Sequence, residues 1–166
     1  MKRMFTLFTT VVLLAIHFSC NTISVRAEAN DIIHEEIISE TSENFADGSS
    51  VTIIVTERST AIEKASVYTK SGSKHYIFFN NDKVEVWRFS VNGTFTINPG
   101  ISSTCTQDSY SISISDSTWE NAAASTYHFG NQAIGDATFI KKLLLITIDT
   151  QNCNIVLSCD NNGNLS

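Results

Sequence analysis

"VEVWRFSVNGTFTIN", residues 84–98, decides how the rest of the chain is read. Trp87, Phe89, Val91, Phe95 and Ile97 share one parity, with Gly93 between them. Arg88, Ser90, Asn92, Thr94 and Thr96 hold the other. Side chains alternate faces along a strand, so one side of this segment is apolar and the other polar. That is the pattern of a half-buried antiparallel strand. Gly93 is its one break and reads as a bulge or a bend.

The flanking segments follow the same logic. Asn80-Asn81-Asp82-Lys83 and Asn98-Pro99-Gly100 are turns bounding this strand. Upstream, Asp47-Gly48 turns into "VTIIVTE" (51–57), and "EKASVYTKSGSKHYIFFNN" (63–81) reads as extended but broken at Ser71-Gly72-Ser73. Downstream, Tyr110, Ile112 and Ile114 alternate in "DSYSISISD" (108–116). "TWENAAASTYHFGN" (118–131) is read as a strand from its neighbours, despite three consecutive alanines. "ATFIKKLLLITIDT" (137–150) and "NCNIVLSCD" (152–160) are two more strands, with the turn between them placed at Asp149-Thr150-Gln151-Asn152. Seven or eight short strands with closely spaced turns predict an all-β antiparallel sandwich or barrel. The connections are too short for crossover helices.

The first 29 residues read as an export signal. Lys2 and Arg3 precede the apolar run "MFTLFTTVVLLAIHF", and Ala27-Glu28-Ala29 is an A-x-A cleavage pattern. An alternative is a lipid anchor at Cys20, although His17 fits a lipidation box poorly. Cleavage leaves 137 residues, enough for one domain. That chain carries 8 Lys and Arg against 16 Asp and Glu, a formal charge of −8. The balance argues against nucleic acid or an anionic membrane as partner, and no stable membrane insertion is expected once the signal is gone. Residues 30–50 are polar and acidic, with Ile32, Ile33, Ile37 and Ile38, and read as a spacer or a short helix. The sandwich domain is placed at 51–166. Three cysteines remain, Cys105, Cys153 and Cys159, an odd number in an oxidising compartment.

"NGTFTINPGISSTCT" (92–106), "STW" (117–119) and the closing "LSCDNNGNLS" (157–166) resemble a group of small exported proteins of Gram-positive bacteria. The matching positions are Gly93, Phe95, Cys105, Trp119, Cys159, Asn162 and Gly163. The departures are Ile97 where Tyr is usual, Asn98-Pro99-Gly100 in place of Asn-Gly, and the additional Cys153. The resemblance implies an immunoglobulin-like sandwich and names no activity. Together with the strand pattern it favours a Cys105–Cys159 bridge, which would close a loop of roughly 55 residues and contribute about 4 kcal/mol in the chain-entropy account. Cys105–Cys153 and Cys153–Cys159 remain rivals. The last needs a bend, since six residues of strand span about 20 Å.

Motifs for catalysis are weak. His34, His75 and His128 show no metal spacing, and there is no H-E-x-x-H, C-x-x-C, G-x-S-x-G or S-x-x-K. No carboxylate pair stands out for glycoside hydrolysis. Cys153 reads as a buried, inert thiol. No cofactor or metal is expected, and a non-enzymatic role is favoured. Trp119 and Tyr127, with Phe129 nearby, are candidates for stacking on a ligand, against the alternative that Trp119 is a core residue. Asp160-Asn161-Asn162-Gly163-Asn164 resembles part of a calcium loop, but only six residues follow Asp160 and none is acidic. It reads as a turn that tucks the terminus back.

The functional expectation is a secreted binding or structural module, its partner an unknown protein or a cell-surface glycan. A carbohydrate-binding or cell-wall-associated module is the alternative, and a small secreted hydrolase or toxin a further one.

Overall fold

The computed structural model describes residues 34–59 and 66–166. The export signal and Cys20 lie outside the described residues. Eight strands are present among them and no helix: β1 (His34–Asn44), β2 (Ser50–Ser59), β3 (Tyr68–Phe79), β4 (Glu85–Asn98), β5 (Ser102–Ile114), β6 (Trp119–Phe129), β7 (Gln132–Leu143) and β8 (Ile146–Ser158). They form a five-stranded sheet, β1-β2-β3-β4-β5, and a three-stranded sheet, β6-β7-β8. Every pairing is antiparallel. The sandwich is thus two consecutive meanders, reached without the Greek-key connections of an immunoglobulin domain.

Strand β4 sits in the middle of the core. Trp87, Phe89, Val91, Phe95 and Ile97 are all buried, as their shared parity predicts. Opposite them the three-stranded sheet contributes Ala133, Ala137, Phe139, Ile155 and Leu157. Trp87 lies flat on Phe139, ring centroids 3.9 Å apart and planes 8° from parallel. Phe78 and Tyr76 stack on Trp87 from their own sheet. Glycines let the layers approach: a Cβ at Gly135 would overlap Val91, and one at Gly93 would meet the Phe95 ring and Ala133. Gly93 makes no bulge. It pairs in register with Gly72 and Asp108, and the irregularity falls between Thr94 and Phe95.

Four expectations need correction. The acidic segment 30–50 contains β1, paired with β2 from Glu35↔Arg58 to Asn44↔Ser50. Its described residues are exposed on both faces, so it lacks the apolar alternation that marks a half-buried strand, and the backbone ladder holds it together with polar side-chain contacts such as Ser42 to Thr52 at 2.9 Å. Secondly, β3 runs unbroken through Ser71-Gly72-Ser73. Thirdly, the turn joining β7 to β8 is Leu144-Leu145, bracketed by the Leu143↔Ile146 pair, and Asp149–Asn152 lies inside β8. Fourthly, the sheets begin at β1, upstream of residue 51.

The C-terminus folds back as a short hairpin. Cys159 bridges to Leu165, and Ser158 and Ser166 exchange backbone hydrogen bonds of 2.9 Å. Asp160 organises the turn: Oδ1 accepts from the backbone N–H of Asn162 and of Asn164, and Oδ2 accepts from the Asn164 side chain. Gly163 takes φ +87, a conformation suited to glycine. The Asp160 carboxylate is committed to the turn, which supports the tucked-terminus reading over a calcium loop. Next along the same edge of β8, Lys74 reaches from β3 to donate to the Val156 carbonyl at 3.0 Å.

Candidate binding face

The outward face of the three-stranded sheet follows from strand parity. Ala137 and Cys153, paired across β7 and β8, point into the core. Their sequence neighbours therefore point out. Two cross-strand rows result, Ser125–Asp136–Asn154 and Ala123–Thr138–Asn152. Asn154 donates to Asp136 at 2.7 Å and Thr138 donates to Asn152 at 2.8 Å, so each row is preordered. The rows floor an open groove of about 460 Å³. Their short side chains keep it shallow and leave acceptors and donors facing solvent.

Two aromatic rings stand beyond one end of this floor. Tyr127 is 52% exposed and Phe129 76%. They pair with Ile134 and Gln132 of β7, on the same outer face as Ser125. Trp119, the other stacking candidate, is only 6% exposed and packs tilted against Trp87 and Phe78. It is a core residue, and its stacking role is withdrawn. The groove rows escaped the sequence reading. Their signal was the polar parity of Asp136 and Thr138 in β7 and of Asn152 and Asn154 in β8, which only the register turns into one surface.

The edge between the sheets is tied by His128, whose Nδ1 lies 2.6 Å from Asp108 Oδ1. That contact, with Thr126, holds the Asp108 carboxyl below the usual range. On the outer face of the larger sheet, Glu35, Thr56, His75 and Ser90 form a chain. Thr56 Oγ1 donates to Glu35 at 2.7 Å, and His75 Nδ1 sits 2.7 Å from Ser90 Oγ. The order imitates a relay to a nucleophile. Ser90, however, is buried in mid-strand, between two hydrogen-bonding neighbours whose ladders engage the backbone N–H groups. An oxyanion needs free donors beside the nucleophile, and a central strand offers none. The chain is therefore structural. Burial depresses the His75 pKa below 6.5, only partly opposed by the Glu35 charge. Among the described residues no three His, Cys, Asp or Glu side chains converge as a metal site.

Cys105, Cys153 and Cys159 are all buried and carried as thiols. The first and last are drawn to consecutive residues of the β6–β7 turn: Cys105 N–H donates to Gly130 and Cys159 N–H to Asn131. Burial raises the Cys105 pKa, and the nearby charges of Asp108 and of a Cys159 thiolate add to it. Cys153 lies instead toward Tyr76, and burial pushes its pKa up to about 12. Strand β8 pairs with β7 without irregularity from Asp149 to Ser158, so there is no bend to bring Cys153 to Cys159.

Searches against protein-family models, curated proteins and solved structures return no match for this chain.

Proposed function

We propose that the protein is an exported binding module whose contact surface is the outer face of β6-β7-β8. The observation that carries this reading is the juxtaposition of two exposed rings, Tyr127 and Phe129, with the preordered polar floor of Asp136, Thr138, Asn152 and Asn154. Solvent-exposed rings beside ordered polar groups are well suited to an amphipathic ligand.

A cell-wall or cell-surface carbohydrate is the ligand class this surface favours. A pyranose presents an apolar face to a ring and hydroxyl groups to short amide and carboxylate side chains. The open groove admits a chain rather than a single enclosed sugar. Export accounts for the acidic charge and places Cys105 and Cys159 where a bridge between them can form.

Affinity electrophoresis through immobilised polysaccharides tests the proposal. Native protein is retarded, while Tyr127→Ala and Asp136→Ala each lose at least about tenfold in affinity, roughly one hydrogen-bonded or stacked contact. No retardation across a broad panel removes carbohydrate as the ligand. Partner capture from the producing cell's surface that is indifferent to both substitutions removes this face altogether.

A further inference from the structure

The β7–β8 hairpin ends in a feature that the binding face does not use. Its two turn residues are leucines, Leu144 at 90% and Leu145 at 96% exposure. Leu143, Ile146 and Ile148 below them are exposed as well. Leu144 also holds φ +57. Two-residue hairpin turns favour Asn-Gly or Asp-Gly because those residues adopt positive φ at little cost. A bulky side chain there is an outlier that local folding does not explain.

The shape of the patch selects its occupant. Leu143 and Ile146 lie opposite one another on one face of the ribbon, Leu144 and Leu145 cap its end, and Ile148 sits in the bulge between the Lys141↔Asp149 and Lys142↔Thr147 pairs. The apolar surface is therefore a convex tip. A flat protein surface would cover one side of it, whereas hydrocarbon chains can surround it. At its base are Lys141 and Lys142, consecutive in a strand and so directed to opposite faces. An ammonium on each side of a ribbon, beneath an apolar end, matches the depth at which lysines reach headgroups while their stems stay in the apolar zone. Leu144 and Leu145 stand level at the tip, two residues of ladder beyond Lys142, roughly 7 Å. That falls within the depth of about 5–10 Å to which interfacial elements enter a bilayer.

We infer that the Leu143–Ile146 hairpin tip is a lipid-docking finger that inserts reversibly into the interfacial layer of a bilayer. The mode is apolar insertion. Glu120 lies 2.6 Å from Lys142, and Asp149 stands opposite Lys141 in the strand register, so acidic residues accompany both lysines. The chain as a whole is acidic, which disfavours adsorption by charge alone. The Leu143↔Ile146 pair closes the ladder directly beneath the turn, but β8 is an edge strand, so the turn peptide and the outer backbone groups beside it have no partner strand. That limits insertion to a shallow depth. The docking is peripheral and fits the expectation that no stable membrane insertion occurs.

An indole placed at the tip of the full chain gives a position-specific test. In Leu144→Trp, added phosphatidylcholine vesicles should shift the extra emission to the blue, and brominated lipid should quench it, relative to the native chain. Leu145→Trp serves as a second reporter should the first variant fold poorly by circular dichroism. Adding Leu145→Asp to the first variant should lower partitioning by about tenfold or more, the loss of one buried leucine. Emission that stays water-like, with no quenching, overturns the proposal. So does a blue shift that grows with protein concentration in the absence of lipid, which would make a second copy the occupant. Quenching seen only on anionic vesicles and abolished by about 0.5 M salt overturns it too, in favour of charge adsorption.

Discussion

Leu165 occupies the space that a side chain on Gly72 would need: a Cβ built at Gly72 would overlap Leu165 Cδ1. The penultimate residue is thereby plugged into the middle of β3, ninety-three positions upstream. Leu165→Ala should cost about 2–4 kcal/mol, and Gly72→Ala about 1–3 kcal/mol through overpacking. Urea denaturation measures both. If Leu165→Ala leaves the midpoint unchanged, the terminal hairpin is an ornament rather than a latch.

His75 should give the fold a pH dependence near neutrality. Its folded pKa lies below 6.5, so between that lower value and 6.5 the unfolded chain binds a proton that the folded chain does not. Stability is therefore complete above about pH 6.5 and declines as pH falls through this window. A second decline begins below about pH 4, where Asp47, Asp108, Asp116 and Asp160, all held below 3.8, take up protons more readily in the unfolded chain. Urea midpoints at pH 7.5 and 5.5 should differ for the native protein and differ less for His75→Gln. An equal drop in both would dismiss His75 as the source.

The thiols should be inert in the native state. Burial is the chief cause raising all three pKa values, that of Cys153 to about 12, so few thiolates exist at pH 8. Iodoacetamide should label the reduced, folded protein far more slowly than the urea-unfolded one. In protein exported to an oxidising compartment, a non-reduced digest should yield a Cys105–Cys159 pair with Cys153 unmodified. A peptide pair containing Cys153 would contradict the positions of Gly130 and Asn131 as the meeting point.

Phe139→Ala should be among the most damaging single changes, at about 3–5 kcal/mol. It removes the ring on which Trp87 lies and opens a void between the two sheets. Tryptophan emission should move to the red in the same variant as water reaches Trp87. An unchanged spectrum would mean that the aromatic stack is not the centre of the core.

What the sequence revealed tracks how much each strand is buried on one side. Residues 84–98 declare themselves because one face meets a second sheet and the other does not. Strand β1 is hidden because its described residues are exposed on both faces, and glutamates suit such a surface as well as any residue. The Leu144-Leu145 turn is hidden for the opposite reason: apolar residues occupy a place where turn chemistry predicts Asn or Gly, and Asp149–Asn152 offered better turn letters nearby. The candidate site was half legible. Tyr127 stood out as an aromatic, but the polar rows beside it exist only through register, which pairs residues from β6, β7 and β8 that are far apart in the chain.

The placement of Lys74 has a consequence for how copies of this protein behave together. The smaller sheet ends at β8, whose outer backbone groups would otherwise invite a strand from a neighbour. Ser166 occupies that rim at Ser158, and the Lys74 ammonium occupies it two residues earlier at Val156. A docking strand would have to evict a charge as well as form its own ladder. At this end of β8 the molecule thus carries its own guard against sheet-to-sheet polymerisation.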